Sequence, residues 1–121
     1  MFQVIALMLL SQQPVQPVAV GMASYYTVAS SGSVTASGEA MNDQEFTCAL
    51  RNGKFGNYYL VVAASGKSVV CRLNDRGPYV RNRIADLSRA AMRQLDDRAG
   101  TLNVRIYDLG QTVSNAFKHL S

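Results

Sequence analysis

A mainly β fold, a barrel or sandwich of short strands with one short helix, is what this sequence predicts. Three observations carry the prediction. Apolar and polar residues alternate along several short stretches, which is the period of a half-buried strand. Glycine-centred turn signals, Asn52-Gly53 and Ser65-Gly66-Lys67, separate those stretches. Only one stretch carries the start signals of a helix, and regular short strands between turns build barrels and sandwiches.

Residues 21–27, Gly21-Met22-Ala23-Ser24-Tyr25-Tyr26-Thr27, alternate small and larger side chains and read as the first strand. Residues 30–39 are rich in Ser, Gly and Thr and read as a loop. Residues 45–50 read as a strand with Phe46, Cys48 and Leu50 on one face. Residues 57–64 form a β-rich run, and residues 68–74 a strand in which Val69, Cys71 and Leu73 share a face. Ser88 suits the N-cap of a helix over residues 89–95, its hydroxyl accepting from a free N–H of the first turn. Leu87 ahead of the cap and Met92 inside the helix make a hydrophobic staple. Residues 101–109 alternate again and read as the last strand.

The chain has 121 residues, enough for one domain with a real core. Twelve Lys and Arg against eight Asp and Glu give a net charge of +4, which favours polyanions such as nucleic acid, an anionic membrane or the bacterial wall. No nucleic-acid motif accompanies the charge, so no nucleic-acid partner is expected. Arg72, Arg76, Arg81, Arg83, Arg89 and Arg93 gather around Gly77-Pro78, either as a ligand-facing patch or as a solvated face. The single His, His119, argues against a His-based metal centre and a Ser-His-Asp triad; no metal and no cofactor are expected.

The apolar run Met1-Phe2-Gln3-Val4-Ile5-Ala6-Leu7-Met8-Leu9-Leu10 is too short to cross a bilayer as a helix but has the length of a signal-peptide core. Residues 1–20 are therefore expected to be a signal peptide or an N-terminal extension. Residues 21–110 are expected to be the folded domain and 111–121 a tail. Export to the periplasm or cell envelope, with no stable membrane insertion, follows as the expectation. Cys48 and Cys71 each sit mid-strand on the apparent core face. In an exported chain they would form a disulfide closing a loop of about two dozen residues; the alternative is a pair of buried thiols.

Asn74-Asp75-Arg76-Gly77-Pro78 is the most informative segment. Gly-Pro stops the strand before it, so Asp75 stands on a rigid strand end. Asp86 follows, flanked by apolar residues just ahead of the helix, and Glu39 closes Thr35-Ala36-Ser37-Gly38-Glu39. Glycan cleavage needs a carboxylic acid to protonate the leaving oxygen and a second polar group on the other face. Three carboxyls from three segments could supply both. Asp75 could equally cap its turn or pair with Arg76, and Asp86 could help to cap the helix.

Several pieces together resemble the rare lipoprotein A family. They are Gly21-Met22-Ala23-Ser24-Tyr25-Tyr26, Thr35-Ala36-Ser37-Gly38-Glu39, Phe55-Gly56, Gly66-Lys67-Ser68-Val69-Val70, Arg72-Leu73-Asn74-Asp75-Arg76-Gly77-Pro78 and Arg83-Ile84-Ala85-Asp86-Leu87-Ser88-Arg89-Ala90-Ala91. All stand in family order with family spacing. The resemblance implies a six-stranded double-psi β-barrel with a groove across one face. It implies a lytic transglycosylase acting on peptidoglycan glycan strands that lack stem peptides and leaving 1,6-anhydro-muramyl ends. It makes Asp75 the key acid, Glu39 the second carboxyl and Asp86 the Asp shared with expansins. Tyr25, Thr35, Asn74, Arg76 and Arg83 would bind substrate, and the chain would act as a monomer.

The resemblance also has departures. Where the family reads Thr-Ala-Ala-His, this chain reads Thr47-Cys48-Ala49-Leu50, so Leu50 replaces a His. The groove is then expected to be a slow enzyme working through a carboxyl pair or a glycan-binding cleft, and a His restored at position 50 is expected to raise cleavage. No Cys follows the N-terminal apolar run to carry a lipid anchor, and a C-terminal glycan-binding repeat domain is not expected. The alternatives to an enzyme are an expansin-like wall-binding module and an exported effector or inhibitor built on the same barrel.

Overall fold

Period-two alternation decides which side chains enter the interior. In β4 (Ser68–Arg76), Val69, Cys71 and Leu73 are buried while Ser68, Val70 and Arg72 are not. The same rhythm runs through β3 (Tyr58–Ala63), where Tyr59, Val61 and Ala63 are buried. A computed structural model describes residues 15–111. Met1 to Leu10, the rest of the first 14 residues, and His119 with the end of the tail lie outside the described residues.

The other elements are β1 (Ala19–Tyr26), α1 (Val28–Ser31), β2 (Thr47–Leu50), β5 (Arg83–Ser88), α2 (Arg89–Leu95) and β6 (Thr101–Gly110). The strands close into a barrel in the order β1-β5-β2-β4-β3-β6. The pairs β1·β5 and β2·β4 are parallel, and the remaining neighbours are antiparallel. Exchanging β1, β2 and β3 with β4, β5 and β6 leaves every pairing and its direction unchanged, so the barrel has an approximate two-fold topology. Both parallel pairs carry a register shift: Ile84 is the extra residue between Arg83 and Ala85, and Asn74 the extra residue between Leu73 and Asp75.

The interior is filled by Leu73, Leu87, Met92, Leu95, Ile106 and Val61, all essentially without solvent contact. Each such aliphatic side chain contributes about 2 kcal/mol by leaving water. Cys48 and Cys71 are joined as a disulfide inside this core, with their Cα atoms 5.8 Å apart. Ser88 caps α2, its Oγ accepting from the Ala91 N–H at 3.2 Å. Leu87 and Met92 lie in the same core.

The sequence expectations differ from this structure at four places. β5 was expected only as a lead into the helix; its Ala85 and Leu87 are buried and it pairs with both β1 and β2. A second helix, the single turn α1, sits where a loop was expected, held by a capping box between Thr27 and Ser30. Phe46 does not share the face of Cys48 and Leu50; β2 starts after it and the ring is half exposed. β1 starts at Ala19, because Ala19 and Val20 already pair with Ile106 and Arg105 of β6. A cut after Ala19 would remove the first paired residue of the barrel.

Candidate active site

Ala49 is the centre of the site. It is in register with Asp75 of β4 on one side and with Asp86 of β5 on the other. Asp86 is in turn in register with Ser24 of β1. Residues in register share a sheet face, so Ser24, Asp86, Ala49 and Asp75 form one row across neighbouring strands. The Cα atoms of Asp75 and Asp86 are two strand spacings apart, roughly 10 Å. Cys48, Leu50, Ala85 and Leu87, the neighbours along β2 and β5, belong to the core. The row therefore faces outward.

A second row lies beside it. Tyr26 is in register with Ser88, and Thr47 with Arg72. The Thr47 N–H donates to Ser88 Oγ at 3.3 Å, and the Tyr26 and Thr47 hydroxyls share a hydrogen bond of 2.9 Å. Arg72 grips Glu39, donating through Nη1 to Oε2 at 2.6 Å and also to Oε1. Its Nη2 lies 3.8 Å from Glu45. Glu39 thus reaches the same face as Asp75, but as the partner of a guanidinium.

The loop before Glu39 is fastened to the bulge in β4. The Ser37 N–H donates to the Asn74 carbonyl at 3.1 Å, and the Ala36 N–H to Asp75 Oδ1 at 2.9 Å. Within the loop, the Thr35 N–H and hydroxyl both donate to the Glu39 carbonyl, at 2.9 and 3.1 Å. Asp75 Oδ1 also accepts from the Arg76 N–H at 2.9 Å. Its other oxygen accepts no hydrogen bond from the described residues. One carboxylate oxygen is therefore fixed and the other is available. Asp86 is oriented by the Ser24 hydroxyl, which donates to its Oδ1.

Tyr26 closes the site from the side of β1. Its ring packs on Met41 and Ala49, apart from the main core. Burial is the main reason its hydroxyl is pushed up to about 12; the hydrogen bond with Thr47 opposes this in part, and the negative charges of Asp75, Asp86 and Asp43 add to it. At neutral pH the group keeps its proton and can donate.

The expected substrate-binding residues take other positions. Tyr25 alternates to the inner side, packs against the core and lies under the Arg93 guanidinium at 5.0 Å. Arg76 turns away from Asp75: its guanidinium sits 4.2 Å over Phe55 and donates to the Gly53 carbonyl at 2.5 Å. Thr35 and Asn74 are buried supports of the loop and the bulge. Asn74 Oδ1 and Arg76 Nη1 are buried without a hydrogen-bond partner among the described residues. Arg83 is in register with Met22, and its carbonyl accepts from Arg51 at 2.7 Å. The arginines thus serve several separate supports. Ser24, Tyr26, Thr47 and Arg51 were not singled out from the sequence as site residues. For Ser24 and Tyr26 the signal was present, since residues two apart on a strand share a face.

Leu50 is in register with Arg76 and Ala85 on the inner side of β2. A cavity of about 340 Å³ opens there, lined by Leu50, Arg51, Gly53, Tyr59, Ile84 and Asp108 among others. Neither Asp75 nor Asp86 lines it, so it is not the acid site.

Residues 18–116 match the family model described as lytic transglycolase. The endolytic peptidoglycan transglycosylase RlpA of Pasteurella multocida is 42% identical over 76 residues, covering 62% of this chain and 26% of that protein. The RlpA of Campylobacter jejuni is 38% identical over 98 residues, covering 79% of this chain and 36% of that protein. The chain therefore spans about a quarter to a third of the curated relatives it matches. A mutant expansin of Clavibacter michiganensis in complex with cellohexaose shares the fold, with a TM-score of 0.58 and 18% identity over 74% of this chain and 48% of that one. By the match that spans its whole barrel, the chain belongs to the lytic transglycolase family, on a six-stranded double-psi β-barrel.

Proposed function

We propose that this chain cleaves peptidoglycan glycan strands as a lytic transglycosylase, with Asp75 as the acid. The observation that carries this reading is the outward row in which Asp75 and Asp86 flank Ala49. The relatives named endolytic peptidoglycan transglycosylase supply the substrate class. In the proposed reaction, the free oxygen of protonated Asp75 gives its proton to the glycosidic oxygen. The bond from that oxygen to the anomeric carbon breaks, and the leaving sugar departs with a new hydroxyl. The 6-hydroxyl of the retained sugar attacks the anomeric carbon and passes its proton to a carboxylate of the row. A 1,6-anhydro-muramyl end results and no water is consumed. Strands without stem peptides suit a face already crowded by the loop of residues 33–41.

Tyr26 and Ser24 serve this chemistry by holding the row rather than by touching the bond. Glu39, paired with Arg72, fixes the loop that orients Asp75. The disulfide fits an exported, oxidising location in the cell envelope, and the chain is taken to act there as a monomer. A second reading is an expansin-like module that binds wall glycan without cleaving it. The barrel shared with an expansin solved in complex with cellohexaose is the observation that favours it.

Purified sacculi separate the two readings. Digestion followed by mass spectrometry should release fragments with 1,6-anhydro ends. Binding without release would establish the module instead, and release of ordinary reducing ends would contradict the transglycosylase chemistry.

A further inference from the structure

Four residues beyond Asp75 the chain displays an aromatic ring to solvent. Tyr79 is 77% exposed and Val80 54% exposed, while Gly77 and Pro78 beneath them are buried. The loop is tied down from below. Arg51, directly after β2, donates through Nε to the Pro78 carbonyl at 2.7 Å and through Nη2 to the carbonyls of Val80 and Arg83 at 3.2 and 2.7 Å. The Arg83 N–H also donates to the Val80 carbonyl at 3.2 Å. One guanidinium therefore fixes the base, tip and far end of the loop.

The ring lies alongside Gly77. A Cβ built at that position would stand 3.7 Å from Tyr79 Cε2, and the Gly77 φ of +118° is one that side-chain-bearing residues rarely adopt. An exposed aromatic on a fixed loop, four residues along the chain from Asp75, suits a ligand with an apolar face and polar edges. A pyranose ring is such a ligand: its C–H face can lie on the tyrosine while its hydroxyls and the Tyr79 hydroxyl stay in water. A loop already held in place loses little freedom when the sugar docks.

We propose that Tyr79, flanked by Val80, is a stacking subsite for a sugar of the glycan strand next to the one held at Asp75, and that Arg51 is its positioning residue. The proposal rests on the glycan reading above. The Tyr79 loop continues directly from the end of β4 that carries Asp75, so a strand extending from Asp75 along β4 would meet this lip.

Steady-state cleavage of peptide-free glycan strands tests this. Tyr79→Ala should raise the half-saturating strand concentration about tenfold, the effect of removing one apolar ring contact, with the turnover rate within about twofold of wild type. Tyr79→Trp should bind at least as well as wild type. Because the ring is exposed, the unfolding temperature should not move. Arg51→Ala should weaken binding like Tyr79→Ala, and the double variant should be little worse than either one, because the two act as a unit. Unchanged saturation in Tyr79→Ala, with cleavage intact, overturns the subsite and leaves the glycan reading standing. Additive effects of the two variants overturn the role of Arg51. A wild-type chain that neither binds nor cleaves the strands overturns the glycan reading and the subsite together.

Discussion

The two faces of β2 carry opposite chemistry. Cys48 and Leu50 point inward, one into the disulfide and the other into the core. Thr47 and Ala49 point outward, one to Tyr26 and the other between Asp75 and Asp86. The same strands thus build a dry interior and a polar outer face, and moving one residue along the chain moves a side chain from one to the other. Stability should depend mainly on the inner face and chemistry on the outer one.

Breaking the inner face should have the largest effect on stability. Replacing both Cys48 and Cys71 by Ala should cost about 3 kcal/mol, most of it through a less restrained unfolded chain. Denaturant unfolding measures this, and cleavage by the protein that remains folded should be close to wild type. A parallel loss of cleavage at full folding would mean that the two faces are not separable.

The alkaline limit probes the outer face through Tyr26. Its folded value of about 12 lies above the ordinary value of 10.0. Stability from the protonated hydroxyl is therefore complete below pH 10 and is lost as pH rises through 12. The loss amounts to about 3 kcal/mol for a shift of this size. Tyr26→Phe should flatten that part of the pH–stability curve. An unchanged curve would show that the hydroxyl is not held in a desolvated site.

Position 50 tests whether the faces are independent. An imidazole placed there would join Arg76 and Ala85 on the inner side, so Leu50→His should cost about 2 kcal/mol by burying a polar ring in the core. Cleavage should not rise, contrary to what the family motif alone suggests. A gain in cleavage would mean that the end of β2 turns its side chain toward Asp75.

Much of this arrangement was readable from the residues. Alternation marked β1, β4 and β6, β-rich composition marked β3, and Ser88 marked the start of α2, because each of these signals is local. β5 escaped since its polar Asp86 and the adjacent helix cap masked a short strand whose partners are distant in sequence. The closed ring came only from the resemblance, since parallel pairing leaves no turn signal between partners. Asp75 and Asp86 were legible as candidates, but their meeting depends on Ala49, a residue with no chemistry of its own. The resemblance names Tyr25, whereas Tyr26 is the one in register with Ser88 and hydrogen-bonded to Thr47. The arginines read as one patch because they are near in sequence, whereas the barrel sends Arg72, Arg76 and Arg93 to three different partners.

Glycan-strand cleavage by an Asp75→Asn protein, with unfolding followed on the same sample, tests the central claim most directly. The amide oxygen can still accept from the Ala36 and Arg76 N–H groups, so stability should stay within about 1 kcal/mol of wild type. Release of anhydro ends should fall by about 100-fold or more, the usual contribution of a general acid. Wild-type release from a folded Asp75→Asn protein would contradict the assignment of the outer row as the catalytic face.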